Sequence, residues 1–182
     1  MNICVYCASS RTIAPHYFDL AAAVGAHIAK RGDTLIYGGA SIGLMGALAR
    51  AVQADGGHVV GVIPERLVSF EIANHDADEL IITADMRTRK ATMEDRADAF
   101  LALPGGLGTL EEIFEIMTLR QLGMLAKPLV LLNAEGFYDP LLRYLADLMS
   151  AGFVRASYAE SFHVAATLAD AFAHIDHAAP VG

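Results

Sequence analysis

The stretch from Leu101 to Glu115, LALPGGLGTLEEIFE, constrains this chain more than any other. An apolar run stops at Pro104, passes through a glycine turn and enters an acidic amphipathic pattern, which reads as strand, loop and helix. Gly105, Gly106 and Gly108 let backbone N–H groups approach a bulky anion, and a helix beginning near Thr109 adds its unpaired N–H groups and the positive end of its dipole. This is a phosphate cradle. Thr109 and Glu112 are three residues apart and share a helix face, so a carboxylate stands one turn from that cradle. A bare phosphate site has no use for it. The arrangement makes sense if phosphate anchors one end of a ligand while Glu112 addresses a sugar or a developing positive charge further along.

At 182 residues with 54% hydrophobic content the chain can bury one sizeable core, and a single domain is expected. Its apolar runs are much shorter than a membrane span, and MNICVYC is a strand pattern without the basic region of a signal peptide. The expected location is the cytoplasm. The net charge of −8 argues against a nucleic-acid surface, which needs basic stripes. The expected ligand is small. Cys4 and Cys7 form C-x-x-C, but Cys4 falls in mid-strand and positions three apart point to opposite faces, which favours structural over redox cysteines.

Taken in order, Ile3 to Ala8 reads as a strand ending in Ser9-Ser10-Arg11, either a plain turn with an N-cap or hydroxyls that reach a bound anion. Pro15 to Lys30 is an amphipathic helix stopped at Arg31-Gly32. Strand Thr34 to Tyr37 runs into GGASIGLMG, a second glycine-rich loop that opens helix Gly43 to Ala54. No Lys-Ser/Thr pair follows its last glycine, so it is not a P-loop, and its spacing fits a dinucleotide fingerprint poorly. Two readings remain for it. Its glycines serve tight helix–strand packing, or Gly38, Gly39, Gly43 and Met45 face a ligand.

Val59 to Ile63 is the third strand, and the loop from Pro64 to about Asp78 is long enough to suggest a binding or lid segment. Within it Glu71 is a solvated acid or a ligand contact. After strand Glu79 to Thr83, a helix from Asp85 to Arg96 places Met86, Arg89, Lys90 and Met93 on one side. A charge run is usually a solvated face, but this helix ends just before the strand that feeds the cradle, so Arg89 or Lys90 can add charge to an anion pocket. Asp98 to Leu103 is the fifth strand. Leu110, Ile113, Phe114 and Met117 form the expected buried side of the helix from Thr109 to Leu122. Lys127 to Leu132 is a sixth strand, Tyr138 to Met149 and Thr167 to Ile175 are helices, and a short strand is expected near Phe162 to Val164. His174 and His177 are spaced for a helix-face metal pair, without an evident third ligand, or lie on a solvent-facing helix.

Strands alternating with helices imply an α/β fold, a Rossmann-like doubly wound parallel sheet of about six to seven strands covered on both faces. Ligands in such sheets sit beyond the carboxyl ends of the strands. The loops at Ser9, Gly38, Glu65 and Gly105 all follow strand C-termini and can converge on one cleft.

These residues carry a resemblance. PGGLGTLEE matches the P-G-G-x-G-T-x-x-E motif of the "lonely guy" family of cytokinin riboside 5′-monophosphate phosphoribohydrolases, whose members have often been mislabelled as lysine decarboxylases. The resemblance also covers CASS, YGGASIGLMG, GVIPERL, the M-x-x-R-K stretch at Met86 to Lys90, QLGMLAKPLVLLN and GFYDPLL, nearly the whole chain. It implies a Rossmann-like fold, a homodimer, and cofactor-free, metal-free hydrolysis of the N-glycosidic bond of an N6-modified adenosine monophosphate to free base and ribose 5-phosphate. Carried over, Arg89 and Glu112 are the catalytic pair, and Gly105, Gly106, Gly108 and Thr109 hold the 5′-phosphate. Ser9, Gly38, Gly39, Gly43, Met45, Met86 and Lys90 complete the expected substrate contacts. Three departures from the family pattern stand out: Ala40 replaces a loop glycine, Arg87-Thr88 replaces a common His-Glu, and Leu119 replaces a common tryptophan. The last two bear on base or dimer preference and none removes a catalytic position.

The chemistry of the residues agrees. Cleaving a ribosyl C–N bond builds positive charge on the sugar ring, which a fixed carboxylate stabilises, and needs water directed at the anomeric carbon. Glu112 suits either need. Three other readings compete. A pyridoxal-phosphate decarboxylase needs a Schiff-base lysine, and only Lys30, Lys90 and Lys127 exist. A nucleotide carrier would bind without hydrolysing, and a nucleosidase could prefer unmodified AMP.

Overall fold

A computed structural model of the chain describes residues 1–68, 70 and 73–178. Its strands are β1 (Asn2–Tyr6), β2 (Thr34–Tyr37), β3 (His58–Pro64), β4 (Glu79–Thr83), β5 (Ala99–Ala102), β6 (Leu129–Leu132) and β7 (His163–Ala165). Between and after them lie α1 (Pro15–Lys30), α2 (Gly43–Ala54), the one-turn α3 (Glu65–Val68), α4 (Met86–Arg96), α5 (Leu107–Gln121), α6 (Asp139–Ser150) and α7 (Leu168–Ala178). The seven strands form one parallel sheet in the order β4-β3-β2-β1-β5-β6-β7. The expected doubly wound α/β architecture is present, with the short seventh strand at one edge.

The period of two along β1 divides the core. Ile3 and Val5 enter a cluster with Val24, Ile28, Leu48 and Phe172 from α1, α2 and α7. Cys4 and Tyr6 enter the opposite cluster with Met93, Ile113, Met117 and Leu145 from α4, α5 and α6. Ile28, Leu35 and Leu48 are fully buried, each contributing about 2 kcal/mol of transfer free energy relative to exposure. Cys7, just past the end of β1, packs in the first cluster, so the C-x-x-C cysteines lie on opposite sides of the sheet, and both thiols are free.

The chain leaves β1 toward β2, β3 and β4, then returns to the other side of β1 with β5. The crossover direction therefore reverses between β1 and β5. The loops that follow these two strands diverge there, opening a crevice at their carboxyl ends. Among the described residues no helix is long and apolar enough to cross a membrane.

Candidate active site

At that crevice lies a cavity of about 200 Å³ lined by Ser9, Ser10, Gly38, Met45, Arg89, Gly106, Leu107, Gly108, Thr109 and Glu112, with Tyr6 and Cys7 at its base. Four separate loops or helix ends supply these groups. Their common origin is the doubly wound topology, which brings every strand C-terminus to one edge.

The cradle begins two residues earlier than the helix expected from Thr109. Gly106 caps α5 in extended geometry and accepts from Leu110 N–H at 3.0 Å, closing the first helical turn. The first-turn N–H groups of Leu107, Gly108 and Thr109 thus have no carbonyl within the helix, and the helix dipole adds positive potential where they emerge. Gly105 is needed for close packing: a Cβ there would stand 2.1 Å from Thr109 Oγ1. Gly105→Ala should displace Thr109 and the loop together and lower kcat/KM for a phosphorylated substrate about 10- to 100-fold. Equal kcat/KM in the variant would show that the loop tolerates the shift.

Glu112 lies one turn beyond Thr109. Both are buried, and with Ile113, Ile116 and Met117 they follow the i, i+3, i+4, i+7, i+8 stripe of an inward helix face. The apolar stripe becomes polar where it reaches the cavity. This register also turns Phe114 outward, 37% exposed, against the expectation that it faces the core, and Ile116 takes the inner position.

Arg89 meets Glu112 from α4. Asp85 caps that helix through Thr88 N–H, and Met93, one turn on from Arg89, anchors it in the core. The guanidinium is spread over three elements: Nε donates to Val62 O at 3.0 Å, Nη2 to Gly38 O at 3.4 Å and Nη1 to Glu112 Oε1 at 3.3 Å. Both charged side chains are under one tenth exposed. Such an ion pair is expensive to bury, and the backbone acceptors at the ends of β2 and β3 offset part of that cost. Gly38 has no room for a side chain, since a Cβ would stand 2.2 Å from Arg89 Nη2. Burial, then the Glu112 carboxylate and Cys4, push the Cys7 thiol up, so it faces the cavity as a neutral group. Tyr6 is likewise held protonated, first by burial and then by Cys4 and Glu112.

Several expected contacts lie elsewhere. Gly39 has φ +77° and packs against Val62 and Ile63, Gly43 has φ +60° and packs against the Ser9 and Ala8 backbone, and neither is among the residues lining the cavity. Met86 is 40% exposed and touches the site through Arg89, Nη1 lying 4.0 Å from its sulfur. Lys90 is not brought into the cavity. Helical geometry turns it about 100° away from Arg89, and its ammonium pairs with Glu111 and Glu115. Lys127 donates to the Glu94 and Asp95 carbonyls, Lys30 ends α1, and no lysine is among the described residues lining the cavity. Glu71 lies outside the described residues. His174 is half-buried and stacks on His163 at 4.1 Å, while among the described residues no group of three or more His, Cys, Asp or Glu could hold a metal.

Ser10, singled out with Ser9 as a hydroxyl that can reach an anion, does line the cavity. Sequence reasoning missed Leu107, Tyr6 and Cys7 as lining groups, and the Val62 carbonyl as an Arg89 partner. Leu107 adjoins a motif already singled out and follows once α5 begins there. Tyr6 and Cys7 read as core, which they also are, and a main-chain carbonyl leaves no trace in residue type.

The family model described as "Possible lysine decarboxylase" matches residues 45–175. The cytokinin riboside 5′-monophosphate phosphoribohydrolase of Mycobacterium marinum is 47% identical over 170 residues, covering 93% of this chain and 90% of that protein. The enzyme of the same name from Mycobacterium tuberculosis is 48% identical over the same length, and one from Oryza sativa is 47% identical over 153 residues, 84% of this chain and 63% of the plant protein. Among solved structures, the molybdenum cofactor binding protein of Rippkaea orientalis superposes with a TM-score of 0.72 over 97% of this chain and 95% of its own, at 21% identity. That likeness is one of fold. The sequence matches establish that the chain belongs to the family of cytokinin riboside 5′-monophosphate phosphoribohydrolases.

Proposed function

We propose that this protein hydrolyses the N-glycosidic bond of N6-modified adenosine 5′-monophosphates, giving free base and ribose 5-phosphate. The observation that carries the reading is a buried carboxylate, Glu112, held by Arg89 one helical turn from the free N–H groups that open α5. The names of the mycobacterial and plant relatives support the same reaction.

In this mechanism the 5′-phosphate docks on the N–H groups of Leu107, Gly108 and Thr109, with Ser9 and Ser10 across the cavity. The ribose then extends toward Glu112. As the C1′–N9 bond lengthens, its electron pair leaves with the purine and the sugar ring gains oxocarbenium character, which the Glu112 carboxylate stabilises. Water adds to C1′, its proton passes to Glu112 or solvent, and the departing base takes up a proton. Arg89 aims the carboxylate, since its guanidinium grips Glu112 and two carbonyls at once. The protein works as a homodimer in the cytoplasm and does not use nucleic acid as a partner. The net charge of −8 supports the last point, and the exposed Leu107, Phe114, Leu122 and Met124 of the α5 region support a covered face.

The test is to incubate the protein separately with isopentenyladenosine monophosphate, AMP and the dephosphorylated riboside, and to quantify free base by chromatography. Release from a monophosphate but not from the riboside is expected, with the N6-modified nucleotide preferred. Faster release from AMP would replace the substrate by unmodified AMP. Binding without release from any tube would sink the enzymatic reading in favour of a carrier.

A further inference from the structure

Arg89 has a neighbour whose charge the cavity does not use. Lys90 follows it on α4, and its side chain is 14% exposed, deeper than a lysine usually lies. Its ammonium bonds to Glu111 Oε1 and lies 3.0 Å from Glu115 Oε2. Glu111 and Glu115 stand one turn apart on α5 and share a face. Consecutive cations of α4, Arg89 and Lys90, therefore grip consecutive carboxylates of α5, Glu112 and Glu111. One contact faces the cavity and the other lies outside it.

The surroundings of Lys90 are acidic. Glu94, one turn along α4, is pushed up first by its own burial and then by Glu115 and Asp95. Burial alone would lower the Lys90 ammonium, but the bonds to Glu111 and Glu115 outweigh it and raise its affinity for the proton. Lys90 therefore stays charged across the physiological range.

We infer that Lys90 is a positioning residue, bracing α4 against α5 so that Arg89 and Glu112 keep their working separation, and that it does not touch substrate. This rests on the reading of Glu112 as the group that acts on the ribosyl bond. Pairs with exposed carboxylates add little to stability, because solvent screens them and long side chains lose entropy. Displacement of a catalytic carboxylate is far more costly to the rate. The contribution of Lys90 should therefore be visible in turnover more than in folding.

Lys90→Met should lower kcat on isopentenyladenosine monophosphate about 10- to 100-fold while KM stays within about threefold. Lys90→Arg, which can span both carboxylates, should restore kcat. The double variant Glu111→Gln, Glu115→Gln should reproduce the loss, and adding Lys90→Met to it should cost nothing more, because the three side chains act as one unit. A raised KM with unchanged kcat would return Lys90 to direct phosphate binding and overturn the inference, as would unchanged values of both. If the wild type releases no base, the glycosidase reading itself has failed. The brace is then judged by crystal structures of wild type and Lys90→Met, in which the Arg89 Nη1 to Glu112 Oε1 contact should lengthen beyond hydrogen-bond reach. An unchanged contact there would overturn it.

Discussion

Glu112→Gln lowers kcat on the N6-modified nucleotide by about 1,000-fold, equivalent to about 4 kcal/mol of transition-state stabilisation, while nucleotide binding is kept or strengthened. The reasoning separates the two halves of the cavity. The phosphate half consists of main-chain N–H groups at the start of α5, which the substitution leaves in place. A carboxylate one turn away repels the phosphate in the ground state, so neutralising it removes a repulsion and the dissociation constant for AMP should not rise. The other half opposes positive charge that exists only as the C1′–N9 bond breaks, and a neutral amide opposes it poorly and cannot accept a proton from water. Folding should survive, because glutamine keeps an oxygen for Arg89 Nη1 and Arg89 retains the Val62 and Gly38 carbonyls. Pre-steady-state turnover with calorimetric AMP binding checks both halves. A variant within tenfold of wild-type turnover would remove Glu112 from the chemistry, and loss of binding without loss of intrinsic rate would make it a substrate ligand.

Much of this was legible because local and global signals agree. Pro15 to Lys30 and Thr34 to Tyr37 match α1 and β2 residue for residue, since a proline start, a glycine stop and short apolar runs mark boundaries with little competition. The motif glycines were harder to assign. Gly39 and Gly43 look the same in sequence as Gly38, yet they pack against β3 and the β1 loop outside the cavity lining, and only the path of neighbouring strands separates those placements. Arg89 and Lys90 posed the same problem across one residue. A charged pair on a short polar helix has no apolar stripe to fix its phase, and the phase here is set by Met93 in the core. The Phe114 error was avoidable. Stepping back from Met117 and Ile116 through Ile113 by helical periods lands on Glu112 and Thr109, which marks a buried acid and leaves Phe114 outside.

Arg89→Met is the second large effect, and it reaches stability as well as rate. The guanidinium joins the ends of β2 and β3 to α5 through three acceptors, and its removal leaves the Gly38 and Val62 carbonyls without that donor and Glu112 without its cation. Breaking a buried pair from one side costs about 3–5 kcal/mol, much of it the burden of the remaining charge. The expected drop in unfolding free energy is therefore about 3 kcal/mol, with turnover lost by about 1,000-fold or more. Neutralising Glu112 in the same chain supplies the decisive comparison. Arg89→Met with Glu112→Gln should be more stable than Arg89→Met alone, by about 1–2 kcal/mol, because the stranded charge is gone, yet it should be no more active. Arg89→Lys should fold well and still lose about 100-fold in kcat, since one ammonium on a flexible stem cannot serve carbonyls on two strands and a carboxylate on a helix together. Urea denaturation and turnover on the same four proteins decide the matter. If Arg89→Lys turns over like wild type, positive charge alone suffices and the three-way grip is incidental. If the double variant is no more stable than Arg89→Met, the Glu112 charge is not what the arginine was holding in place.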